Sequence, residues 1–161
     1  MTLKKSTQLF LFIAAFLGTS LSAFAQNKSN DVAVVVNPSA PVSELSLSEA
    51  RTIFRGDRQY WSKDIPIVLL VRNPPSRERE IILKKLYSMT ETEFKQYWIA
   101  KIFRAEATSG PKIVYSNSMA LDLVTVIPGA IAFMAAKDVT PTVKVVKIDG
   151  HMPGDAGYPL R

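Results

Sequence analysis

The apolar positions fall into short β-branched runs separated by amphipathic stretches. Val32-Ala33-Val34-Val35-Val36 has no polar interruption and predicts a strand buried on both faces. Asn37-Pro38-Ser39-Ala40-Pro41 breaks it. Ser46 and Glu49 can each satisfy the other's backbone donor, so they predict a helix start. Leu47, Ala50, Ile53 and Phe54 follow at helical spacing, and Gly56 ends the helix. A loop from Asp57 to Asp64 carries Tyr60 and Trp61. Ile65 to Val71 reads as a second buried strand with Pro66 near its start.

Two prolines, Pro74 and Pro75, stop that strand, and Ser76 is placed to cap a helix from Arg77 to about Tyr87 that buries Ile81, Ile82 and Leu86. Thr90 and Glu93 form a second capping box. The helix behind it sets Phe94, Trp98 and Ile102 on one stripe, joined by Tyr97 and Phe103. After Gly110-Pro111, Lys112 to Tyr115 reads as a short strand. Ser116-Asn117-Ser118 then opens a helix carrying Leu121, Leu123, Val124 and Ile127, ended by Pro128-Gly129. Ala130 to Met134 and Val143 to Ile148 read as the last strands, and the Gly- and Pro-rich tail from Gly150 is expected to be extended. Strands alternating with helices predict an α/β domain with a largely parallel sheet.

The beginning of the chain follows another pattern. Lys4 and Lys5 precede an apolar run from Leu9 to Leu21, and Ala23-Phe24-Ala25 follows with small residues where a signal peptidase reads. The run is short for a bilayer crossing of about 20 residues. The expectation is a signal peptide over 1–25, cleaved after Ala25, and one domain over 26–161 that is exported to the periplasm and not held in the membrane. No other segment is long and apolar enough to span a bilayer.

Composition narrows the chemistry. The chain has 161 residues and a formal net charge of +6, which falls to +4 once Lys4 and Lys5 are removed. Cysteine is absent, excluding a disulfide framework, a thiol nucleophile and a Cys-rich metal site. The single histidine, His151, makes a His-based metal site improbable and lacks an evident catalytic partner. Basic residues are interleaved with acids, and together with export this argues against a nucleic-acid partner. No nucleophile–base pair, metal-ligand spacing or nucleotide-binding phosphate loop occurs, so an enzyme and a cofactor are both unsupported.

An ordered set of phrases resembles the periplasmic phosphate-binding proteins of ABC transporters. It comprises Val34-Val35-Val36-Asn37-Pro38, Leu45-Ser46-Leu47, Ile53-Phe54-Arg55-Gly56, Trp61, and Val71-Arg72 with Ser76 before a helix. It resumes at Pro128-Gly129-Ala130-Ile131, Lys147-Ile148-Asp149-Gly150 and Tyr158-Pro159-Leu160. The resemblance implies a type II periplasmic-binding fold reduced to a single lobe, with a mostly parallel or mixed sheet flanked by helices. Family members have two lobes with phosphate between them; this chain keeps one lobe and its two hinge-side strands. Where the family carries Asp-Gly-Ser-Gly-Thr, this sequence reads Pro74-Pro75-Ser76-Arg77-Glu78. The Ser is kept. The Asp, which in the family accepts a hydrogen bond from a protonated phosphate oxygen, is lost, and with it the basis for excluding sulfate. The family's Gly-Tyr is also replaced, by Ala132-Phe133.

The strand-to-helix turn has its own physics. Unpaired N–H groups and the positive end of a helix dipole favour an anion at Ser76, and Arg72, Arg77 and Arg79 add charge, while Glu78 and Glu80 weaken the field. Arginine can grip phosphate bidentately. The plain alternative is a capped helix with a solvated basic turn. Ser116 and Ser118 lie at a second polar helix start, which can share a face with the first at the carboxyl ends of the strands, or can be ordinary capping. Trp61, Tyr97 and Trp98 read as core or loop anchors. The expected function is capture of a small oxyanion, phosphate first, through Arg72, Ser76, Arg77, Ser116 and Ser118, with an ABC transporter permease or another envelope protein as partner. The alternative is a single-lobe protein-interaction module in the envelope that has lost its ligand.

Overall fold

A computed structural model describes residues 30–161. The leader expected over 1–25 lies outside the described residues. Val32–Val36 forms strand β1, with all five residues buried. Glu44–Leu45 is a two-residue strand, β2, and the capping box of Ser46 and Glu49 opens helix α1, Leu47–Phe54. The expected loop after Gly56 contains β3, Tyr60–Ser62, which turns back onto β4, Ile65–Pro66. The long strand expected over 65–71 is therefore split: Ile67 donates its N–H to Gln59 at 2.8 Å, and β5, Val68–Arg72, follows.

Helix α2, Arg77–Ile82, continues directly into a π-helical turn, Leu83–Tyr87, so the helix has the expected length but is rewound in its second half. The chain then forms α3, Glu91–Phe103, β6, Lys112–Val114, α4, Asn117–Val126, β7, Ala130–Ala135, and β8, Lys144–Ile148.

Among the described residues six strands form one sheet in the order β2-β8-β1-β7-β5-β6. β7, β5 and β6 are parallel neighbours, and β2 is parallel to β8. β1 runs against both of its neighbours, β7 and β8. The sheet is thus mixed through one reversed central strand.

Two apolar layers cover it. On one face Val32, Val34, Val36 and Val71 meet Ile53 and Phe54 of α1, Ile82 of α2, and Phe94 and Trp98 of α3. On the other, Ala33, Val35, Leu70 and Val114 meet Ala120 and Val124 of α4. Alternate residues of β1 feed opposite layers, which is why a continuous apolar run was needed there. Buried Asn37 holds α4 to the end of β1: its Nδ2 donates to the carbonyls of Val124 and Thr125 at 2.8 and 2.9 Å, satisfying the last turn of α4.

Two expectations are corrected. The stripe on α3 stops at Trp98: Ile102 is 42% exposed and Phe103 91% exposed, and neither joins a core cluster. The tail is not simply extended. It turns at Gly150, Gly154 and Gly157, all with positive φ, and brings Tyr158 and Leu160 into the core. The Tyr158 hydroxyl donates to the carbonyl of Val32 at 2.7 Å, and Val32 N–H donates to Leu160 at 2.9 Å.

Candidate functional site

The parallel register decides which residues meet. Leu70 stands opposite Lys112, Val71 opposite Ile113 and Arg72 opposite Val114, so β5 and β6 end level with each other. Asn73 N–H donates to the carbonyl of Val114 at 2.9 Å and keeps the two turns adjacent. The start of β1 reaches the same edge, because Val32 faces Ala135 at the end of β7. After β5 the chain turns through Asn73-Pro74-Pro75 into α2, on one face of the sheet. After β6 it enters α4, on the other. Connections leaving adjacent parallel strands toward opposite faces open the crevice in which α/β sheets usually hold ligands.

Arg72 ends β5 half-buried at this edge. Its Nε and Nη1 are buried, and among the described residues no group pairs with either. A guanidinium in that state forgoes water without gaining a carboxylate, so it is receptive to an anion. Ser76 caps α2, its oxygen accepting from Arg79 N–H at 3.2 Å. Accepting this bond leaves the hydroxyl proton free to be donated elsewhere. Arg77 is exposed and donates from Nη1 to the carbonyl of Asn30 at 2.6 Å, so part of its fork is committed to the segment leading into β1. Ser116 caps α4 in the same manner as Ser76, accepting from Met119 N–H at 3.0 Å.

The structure therefore brings Arg72, Ser76, Arg77 and Ser116 to one edge. Ser118 is set apart, lining a shallow depression with Leu121, Asp122, Thr125 and the Thr140–Thr142 segment. The α4 start also carries its own carboxylate: Asn117 Nδ2 donates to Asp138 Oδ2 at 2.6 Å. An anion at Ser116 would meet that charge, which makes the α2 side the more favourable half of the edge.

Arg79 departs from the sequence reading, which counted it as a free charge. It is buried, grips both oxygens of Glu91 at 2.8 and 2.9 Å, and packs over Phe94 with its guanidinium carbon 4.7 Å from the ring centroid. Its Nη1 donates to the carbonyl of Arg72 at 2.7 Å. Arg79 is thus a positioning residue that fixes the backbone from which Arg72 projects. Glu91, in the first turn of the capped helix α3, was a visible acid but twelve residues distant, beyond any helical pairing rule.

No protein-family model and no curated protein sequence matches the chain. Solved structures do. An ABC-type phosphate transport receptor from Vibrio cholerae superposes with a TM-score of 0.61 at 22% identity, over 76% of this chain and 48% of that one. PstS from Borrelia burgdorferi gives 0.59 at 15% identity, over 76% and 49%. A phosphate-binding protein from Stenotrophomonas maltophilia gives 0.56 at 18% identity, over 79% and 41%. The chain spans about half the length of the structures it matches or less. What the likeness establishes is the fold: the chain is built as one periplasmic-binding-protein-like lobe, of the kind found in these phosphate receptors.

Proposed function

We propose that the chain is a non-enzymatic solute-binding-type protein that captures a small oxyanion, phosphate first, at the edge formed by Arg72, Ser76 and Arg77, with Ser116 secondary and Ser118 no longer included. The observation that carries this reading is the Arg72 guanidinium, whose Nε and Nη1 are buried without a partner among the described residues at the carboxyl end of β5. The capped start of the helix beside it adds a favourable dipole. The fold shared with phosphate receptors supports the same ligand class. Delivery to an ABC transporter permease and a periplasmic location, reached through the leader at 1–25, belong to this proposal. Among the described residues no helix is long and apolar enough to cross a membrane.

The test is calorimetric titration of the purified chain with phosphate and then sulfate at low ionic strength, repeated on Arg72→Ala. Saturable phosphate heat that vanishes in the variant is the expected result. A folded protein that gives no heat with either anion sinks the reading.

A second reading has its own observation. Ile99 and Phe103 are 68% and 91% exposed near the end of α3, an unusual display of apolar surface that suits an envelope adaptor docking another protein. Concentration-dependent mass in light scattering, unaffected by anions, would favour it over anion capture.

A further inference from the structure

Strands β5 and β6, which end level at Arg72 and Val114, begin at a recess of about 190 Å³. Its walls are the start of β5, the β3–β4 hairpin and the 107–111 loop leading into β6. At about 3.3 Å of rise per residue, Leu69 in this recess lies about 10 Å from Arg72, so the two sites are separate.

The lining has a consistent sign. Arg58 and Lys112 line the recess, and among the described residues no acid lines it. The nearby acids are already engaged: Asp57 Oδ1 lies 2.5 Å from Lys101 Nζ, and Glu106 binds Arg104 at 2.6 and 3.2 Å. Burial alone would lower the Lys101 ammonium, but its bonds to Asp57 and Tyr97 outweigh that and hold it above the usual lysine range. Lys112 has no ion-pair partner among the described residues. Arg58 spends Nε and Nη2 on the carbonyls of Tyr60 and Trp61, and among the described residues its Nη1 has no hydrogen-bond partner. Among the described residues the N–H groups of Ser109 and Gly110 also have no protein partner. The rest of the lining mixes polar Gln59, Thr108 and Ser109 with apolar and aromatic surface from Ile67, Leu69, Tyr60 and the buried Trp98.

We propose that this recess binds a small organic carboxylate carrying a ring or short apolar body. The carboxylate meets Lys112, Arg58 Nη1 and the Ser109 and Gly110 amides, while the body packs on Tyr60 and Trp98. Inorganic phosphate is the poorer occupant, because it leaves the apolar half of the recess unfilled. This site does not rest on the Arg72 reading and stands or falls alone.

The test follows backbone amide shifts of the purified chain with benzoate, with neutral benzyl alcohol and with inorganic phosphate. The expected result is saturable benzoate shifts at Ser109, Gly110 and Lys112, with affinity at least about tenfold weaker in Lys112→Glu, as loss of a charge-assisted contact requires. Lys112 is exposed, and Lys112→Gln repeats the measurement should the reversal disturb the fold. The proposal is overturned if benzoate gives no saturable shift, if benzyl alcohol binds equally well, or if phosphate moves the same amides as tightly as benzoate does.

Discussion

Arg79 and Glu91 are joined by two parallel hydrogen bonds of 2.8 and 2.9 Å, and this pair ties the start of α2 to the start of α3. The arginine side chain is 4% exposed and the glutamate 33%, so the cation depends on its partner more than the anion does. Glu91→Gln is expected to leave a buried guanidinium half-satisfied and to cost about 2–3 kcal/mol in urea denaturation. Because Arg79 also holds the Arg72 carbonyl, the same variant is expected to weaken phosphate binding without touching the anion. Unchanged stability in Glu91→Gln would show that the pair is only a surface contact.

Arg72 is expected to behave in the opposite manner. A guanidinium with two buried nitrogens that find no partner among the described residues opposes folding, so Arg72→Met, which keeps the stem and removes the charge, is expected to raise the urea midpoint by an amount equivalent to about 1 kcal/mol. In the same variant phosphate is expected to lose its stabilising effect, which in the wild type reaches about 2.7 kcal/mol at a hundred times Kd. A large loss of stability in Arg72→Met would mean that the residue holds the fold rather than a ligand.

The pH dependence follows from four groups. The Ser46 N–H, then its hydroxyl, hold the Glu49 carboxyl below its ordinary value of 4.5, and Thr90 does the same for Glu93. A lowered folded value means that stability is present above pH 4.5 and is lost as pH falls through the folded value. At the other end, burial raises Tyr87 and Tyr158 above 10.0, with Asp31 adding to the effect at Tyr158. The folded state then keeps protons that the unfolded chain releases, so stability is present below pH 10 and is lost as pH rises above it. Thermal midpoints measured across both limits are expected to fall at each. Tyr87→Phe is expected to flatten the alkaline fall.

Among the described glycines, Gly129 is the one least able to take a side chain. A Cβ there would lie 1.8 Å from the carbonyl oxygen of Pro66, and the Gly129 carbonyl accepts from Trp61 Nε1 at 3.1 Å. Gly129→Ala must therefore push β4 away from the start of β7 and is expected to cost at least about 2 kcal/mol, read as a lower thermal midpoint with loss of the Trp61 near-ultraviolet signal. A near-neutral Gly129→Ala would show that the hairpin is not seated against β7 in solution.

Much of the fold was legible because it is governed by contacts close in sequence. The capping boxes at Ser46 and Thr90, the caps at Ser76 and Ser116, and the buried run of β1 all stand where the residues predicted. The α/β order followed from them. The turn after Arg72 was legible as a basic helix start for the same reason.

What the local pattern could not carry is which groups distant in sequence meet. Propensity is indifferent to strand direction, so the reversal of β1 appeared only in its pairing with β7 and β8. Charge counting treats Arg72 and Arg79 alike, yet packing gave Glu91 to Arg79 and, among the described residues, left two nitrogens of Arg72 unpaired. Apolar spacing marked Ile102 and Phe103 for the core, but α3 runs on past the residues that cover Phe94 and Trp98. The sequence by itself determined the strands, the caps and the basic turn. The tertiary structure alone decided which arginine stayed without a partner, because that depends on charges brought together across the fold.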